Sequence, residues 1–132
     1  MSLAVVGAAH KNADGSDRGA EIGRCLPGDP VALVPEPDNE FDRHAIAVFS
    51  MRGVQIGYLT AERAPRIGSL IHDGHEVTTV FQREARFGAW IRVAFDGEQP
   101  VVTDAMLELQ DDNAVEKISM PDFYPDEEWP DD

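Results

Sequence analysis

Glu36-Pro37-Asp38-Asn39-Glu40-Phe41-Asp42-Arg43-His44-Ala45-Ile46-Ala47-Val48 is a polar loop that empties into an apolar run. Pro37 lacks a backbone donor and fixes its own φ, so a strand arriving from upstream stops near it. Asp38, Asn39 and Asp42 carry short side chains that bond nearby amides and hold an irregular loop without a sheet. Ala45 to Phe49 has the content of a strand buried on both faces. A loop held open at the start of such a strand is a natural wall for a binding pocket. The competing reading is a plain turn between two strands, with Phe41 packed inward as its plug.

On either side of this stretch the chain reads as short strands, turns and two short helices. Leu3 to Ala8 is the first strand, followed by a polar loop from His10 to Ser16. Ser16 or Asp17 is placed to cap a helix over Arg18 to Leu26, with Ile22 and Leu26 one turn apart. Pro27-Gly28-Asp29-Pro30 ends that helix, and Val31 to Val34 is the second strand. Ala45 to Ser50 and Val54 to Leu59 flank Met51-Arg52-Gly53 as a hairpin. Thr60 is expected to cap a second helix that reaches about His72, where Asp73-Gly74 stops it. Its buried stripe is Ile67, Leu70 and Ile71, and Pro65 fits only in its first turn.

His75 to Phe81 and Ala89 to Phe95 are the last strands. The connection between them carries Arg83, Arg86 and Phe87, a small cationic surface able to stack on a base. An ordinary charged turn with Phe87 packed beneath it reads equally well. The pattern predicts a mainly β (α+β) fold: a small, partly open barrel of about six strands with two short helices.

The totals narrow the function. At 132 residues the chain holds one domain, residues 1–103, with an appended segment, residues 104–132. The net charge is −14, and it is uneven: residues 104–132 carry eleven acids against Lys117, whereas residues 1–103 carry −4. A single cysteine, Cys25, excludes an internal disulfide and a multi-cysteine zinc site, and fits a reducing compartment. No apolar run approaches the ~20 residues of a membrane span. The N-terminus lacks a signal peptide's basic region and long apolar core, so cytoplasm is the default.

The four histidines show no ligand spacing, and a helix end beside a turn accounts for His72, Asp73 and His75. No phosphate-cradling glycine loop and no serine-centred elbow is present. Cys25 falls on an apolar helix face, as a core residue does. No catalytic residue, metal or cofactor is predicted.

Glu36-Pro37-Asp38-Asn39, the pair Phe41-Asp42, His44-Ala45-Ile46-Ala47-Val48 and Ile56-Gly57-Tyr58-Leu59 together resemble the signature of the HIRAN family. Val5-Val6-Gly7 and Pro27-Gly28-Asp29-Pro30-Val31 fit the same pattern, and the resemblance runs over roughly residues 3 to 96. It implies an OB-like or SH3-like barrel, found attached to DNA-remodelling and repair enzymes and as a free-standing bacterial protein. In the best understood member the domain holds the 3′-hydroxyl end of single-stranded DNA, without catalysis of its own. A helicase or nuclease is the implied partner protein.

The resemblance puts Asp42 at the acid that meets the 3′-hydroxyl, with Phe41 before it and Asn39 in the same loop. It puts His10 and Phe87 near stacking rings, and Tyr58, in the fourth motif of the set, counts among the expected nucleic-acid-binding residues. The chemistry of such a site is direct. A carboxylate accepts a hydrogen bond from a terminal hydroxyl and repels the phosphate that replaces it in a continuing chain. Lys11, Arg83 and Arg86 are the candidates for phosphate contacts. Two positions depart from the family pattern: Ala9 stands where the best understood member has an arginine, and Glu40 replaces a common proline.

Two readings concern the remainder. Asp122 to Trp129 spaces acids with aromatics, as nucleic acid spaces charge with flat rings. It is either a solubilising segment or an occupant of the domain's own pocket or a partner's basic groove. The alternative function is a protein-interaction adaptor that keeps the fold with little DNA affinity.

Overall fold

The structure, a computed structural model, describes residues 1–103. The expected short helix at 104–109 and the acidic aromatic segment at 121–132 lie outside the described residues. The elements are β1 (Ser2–Val6), α1 (Arg18–Arg24), β2 (Ala32–Pro35), β3 (Ile46–Phe49), β4 (Gln55–Leu59), α2 (Ala64–His72), β5 (Val77–Ala85) and β6 (Gly88–Phe95). They form one antiparallel sheet in the order β2-β3-β4-β1-β6-β5. β1 is therefore a central strand, with Val6 opposite Tyr58 of β4 and Ala4 opposite Trp90 of β6.

The ladder does not close, but the chain before β2 ties one edge to the other. Val31 N–H donates to the Thr79 carbonyl at 3.1 Å, and Phe81 N–H to the Asp29 carbonyl at 2.7 Å. The result is a mainly β, partly open barrel with two short helices, as the sequence pattern predicts.

Alternation along each strand sorts the side chains into two layers. Leu3, Val5, Ile46, Val48, Ile56, Phe81, Ile91 and Val93 face the core, closed by Ile22 of α1 and Ile67 of α2. Ala4, Val6, Ala47 and Tyr58 occupy the opposite face and are buried too. Close approach at the barrel's middle depends on Gly57, at φ +154°, where a Cβ would lie 2.3 Å from the Val6 carbonyl oxygen.

Several expectations change. Asp17 is the cap of α1, accepting the Ala20 N–H at 2.9 Å. Leu26 lies past the end of that helix and is 65% exposed, so it does not pair with Ile22 in the core. Arg18 and Glu21 take the buried positions instead. Glu21 receives Arg52 Nε at 2.7 Å, which ties α1 to the β3–β4 turn. Burial pushes the Glu21 pKa up, but the bonds from Ser50, Arg52 and Arg24 outweigh it and hold the carboxyl below its ordinary range.

Helix α2 starts at Ala64, and its cap is Arg63 rather than Thr60, with no side-chain bond to the helix's first amides. Pro65 sets that start, because it needs the first turn, where its missing N–H costs nothing. The last two strands are longer than expected and leave only Arg86-Phe87 between them. The polar run Gln82-Arg83-Glu84 belongs to β5, at a register shift between Phe81 and Arg83. That shift buries Gln82, whose Oε1 accepts the Ser2 hydroxyl at 2.7 Å.

Among the described residues no helix is long and apolar enough to cross a membrane. No cluster of three or more histidine, cysteine or acidic residues among them could hold a metal ion. His75 pairs through Nδ1 with Asp96 at 3.0 Å rather than with His72.

Candidate nucleic-acid interface

The loop between β2 and β3 is built by its own side chains. Glu36 N–H donates to the Ala45 carbonyl at 2.9 Å and closes its neck. Asn39 Oδ1 accepts the N–H groups of Phe41 at 2.9 Å and Asp42 at 3.0 Å. Asp42 Oδ1 accepts the His44 N–H at 2.8 Å. With its amides satisfied in this way the loop needs no apolar plug, and Phe41 is 61% exposed. The plain-turn reading with Phe41 packed inward is therefore corrected. Asp42 is half-buried, makes no ion pair among the described residues, and its Oδ2 accepts no bond among them.

A second layer supports this loop from beneath. Tyr58 is 8% exposed and donates its hydroxyl to Glu36 Oε1 at 2.9 Å. The same oxygen accepts Asn39 Nδ2 at 3.1 Å. Arg18, 6% exposed, lies over the Tyr58 ring, 5.6 Å from its centroid. Burial pushes the Tyr58 phenol up, and Glu36 adds to it, so the hydroxyl stays a donor at neutral pH. Of the sequence-predicted residues, Tyr58 is thus beneath the surface, while Asn39, Phe41 and Asp42 form the loop above it.

The other wall follows β1. Arg18 Nη1 donates to the Gly7 carbonyl at 3.0 Å, and its Nε to Asn12 Oδ1 at 2.7 Å. These bonds shape the turn that carries His10, half-buried, and Lys11, which is exposed and pairs through its backbone with Asp17 as an isolated antiparallel β-bridge. Ala9 is exposed. Across β1, Gly88 lets the β5–β6 hairpin approach closely, since a Cβ there would lie 2.3 Å from the Val5 carbonyl oxygen. Phe87 follows it onto the outer face and meets Trp90 edge-on, with ring centroids 5.5 Å apart and planes at 87°. Both pack on Ala4 and Val6.

Arg83 is half-buried and stands opposite Trp90 in the ladder, with Nη1 donating to the Glu84 carbonyl at 3.0 Å. Arg86 is exposed in the turn. The two arginines and Phe87 therefore share one hairpin but not one tip.

Trp90 is the residue that sequence reasoning missed. The signal was present: Ala89, Ile91 and Val93 face the core, so strand parity sends Trp90 to the outer face. Its indole N–H is buried without a hydrogen-bond partner among the described residues. Val6 and Tyr58 are partners in register, and Ala47 is the partner of Tyr58 on the far side. One face of the sheet thus runs from the ring pair at Phe87 and Trp90, past β1, to the loop of Asp42. Exposed and half-exposed aromatics, whose faces can stack on flat rings, lie at both ends of this face.

Comparison with known proteins gives a consistent fold. One solved relative in structure is the HIRAN domain of human HLTF, 18% identical, with a TM-score of 0.57, covering 91% of this chain and 90% of that one. Another is a protein from Lactobacillus plantarum, 19% identical, with a TM-score of 0.56, covering 70% of this chain and 90% of that one. At such identities the likeness speaks for the fold alone. No curated protein matches the sequence. The HIRAN domain profile matches residues 4–96, nearly the whole of the described barrel, and the chain belongs to the HIRAN domain family.

Proposed function

We propose that this domain binds single-stranded DNA at its 3′-hydroxyl end, as a recognition module in DNA repair or at replication forks. HIRAN domains are generally DNA-binding modules, and the 3′-end preference is the finer reading. The observation that carries it is the loop at Asn39–Asp42: a half-buried carboxylate with one uncommitted oxygen, beside an exposed phenylalanine. A terminal hydroxyl can donate to Asp42, whereas a phosphate at the same place meets a like charge. Phe41, His10 and Phe87 are the stacking surfaces, joined by Trp90, and Lys11, Arg83 and Arg86 the phosphate contacts. The domain performs no chemistry in this reading. It delivers or retains a strand end for a helicase or nuclease partner in the cytoplasm.

A second reading, a protein-interaction adaptor with little DNA affinity, is favoured by Ala9 and Glu40, both exposed, which remove a cation and add an acid near Phe41. Competition separates the two. A labelled linear oligonucleotide is challenged with the same sequence linear or circularised. End recognition predicts that the circle, having no terminus, competes at least tenfold more weakly. Equal competition contradicts end recognition, and no binding of either favours the adaptor.

A further inference from the structure

We infer that Tyr58 is a positioning residue, which with Arg18 and Glu36 couples the two walls of the site and holds the Asn39–Asp42 loop in its receptive shape. The inference rests on the reading of that loop as the strand-end site, and assigns Tyr58 a role other than touching nucleic acid.

The connections run without a gap. Arg18 leaves α1 and fixes the wall after β1 through the Gly7 carbonyl and Asn12. Asn12 Nδ2 in turn donates to the Gln55 carbonyl at 2.9 Å, tying that wall to β4. The guanidinium then caps the Tyr58 ring. The Tyr58 hydroxyl sets Glu36 Oε1, which receives the Asn39 amide, which holds the N–H groups of Phe41 and Asp42.

Two features point to positioning rather than contact. Tyr58 is 8% exposed and its hydroxyl is committed to Glu36, so a strand meets it only by breaking the relay. Both the Tyr58 and the Asn39 bonds converge on one oxygen, Oε1, so the position of a single atom sets the loop. A loop ordered before binding leaves less ordering to be done at the moment of binding. Networks of this type act as units, so their members give non-additive effects.

The test uses the full chain and two readouts. Amide hydrogen exchange is followed by NMR at Phe41 and Asp42, and affinity is measured for a single-stranded oligonucleotide ending in a 3′-hydroxyl. Tyr58→Phe keeps the ring under Arg18 and removes the hydroxyl, with its bonds to Glu36 and Gln55. Glu36→Ala removes the shared acceptor, while Glu36→Gln keeps an oxygen in its place. Tyr58→Phe and Glu36→Ala are each expected to speed exchange at the two amides about fivefold, the effect of one lost hydrogen bond, with β1 and β6 amides unchanged. Glu36→Gln stays near wild type, and the double variant adds little to either single one. Affinity follows the same order.

Unchanged exchange in both truncations overturns the inference. So does faster exchange throughout the barrel, or a Glu36→Gln variant that behaves as Glu36→Ala. Weaker DNA binding by Tyr58→Phe with unmoved loop amides makes Tyr58 a direct contact and also overturns it. If the wild type binds no 3′ end, the functional reading fails alone, and the exchange rates still decide whether Tyr58 positions the loop.

Discussion

Asn39 and Asp42 between them hold three N–H groups of their own loop, those of Phe41, Asp42 and His44. Such bonds span two or three residues, which is why this part of the site is legible from sequence: short polar side chains bond locally whatever the fold. Arg18 was not legible. In the sequence it is one more arginine near a helix start, and its partners at Gly7, Asn12 and Tyr58 meet only in the folded barrel. Trp90 was half legible, since parity gave its face but not its neighbour Phe87. As a ring on the open side of the sheet, Trp90 is expected to hold a base. Trp90→Ala should therefore weaken single-stranded DNA binding by about 1–3 kcal/mol, one stacking contact, as measured by fluorescence anisotropy. Unaltered affinity would leave Trp90 as packing for Phe87 alone.

At the scale of elements, β3 and β4 were legible because a continuous apolar run follows the polar loop and a glycine turn divides the pair. The full length of β5 was not, because Gln82-Arg83-Glu84 has the composition of a loop, and only the register shift that buries Gln82 reveals it as strand. Nor does any local signal place β1 between β4 and β6, since that order is set by non-local pairing.

Helix α1 shows an ion pair doing what the predicted apolar stripe does not. The Glu21 carboxylate is buried and joined to Arg52 of the β3–β4 turn. Its folded pKa lies below the unfolded value, so its contribution is complete above the unfolded glutamate pKa and fades as pH falls through the folded one. Arg52→Met is expected to destabilise the domain by about 2 kcal/mol at pH 7, because a buried carboxylate loses its closest partner. The deficit should shrink in acid, below the ordinary carboxylate range, where Glu21 takes up a proton. Urea denaturation of both proteins across pH 3 to 7 checks this. A deficit that is constant with pH would place the effect in packing rather than in the ion pair.

For the whole molecule the charge looks wrong for a nucleic-acid binder, at −14 overall. Its distribution resolves part of the conflict, since residues 1–103 carry only −4. Screening over about 8 Å at physiological salt confines the remaining fields to their neighbourhoods. The proposed binding by rings and one acceptor needs few phosphate contacts, with Lys11, Arg83 and Arg86 as the proposed ones. Three contacts to a single strand predict a slope of log affinity against log salt of about −2. A titration series from low to physiological salt reads it directly. A slope several times steeper would mean a broad electrostatic surface and a different mode of binding.

Everything functional converges on the Asp42 carboxylate and what it tells apart. Oligonucleotides of one sequence, ending in a 3′-hydroxyl or a 3′-phosphate, are titrated against the wild-type chain and Asp42→Ala. The wild type is expected to prefer the hydroxyl by at least tenfold, and Asp42→Ala to lose most of that preference by binding the hydroxyl end less and the phosphate end no worse. Equal affinity of the wild type for both ends, or a preference that survives Asp42→Ala, would contradict the account.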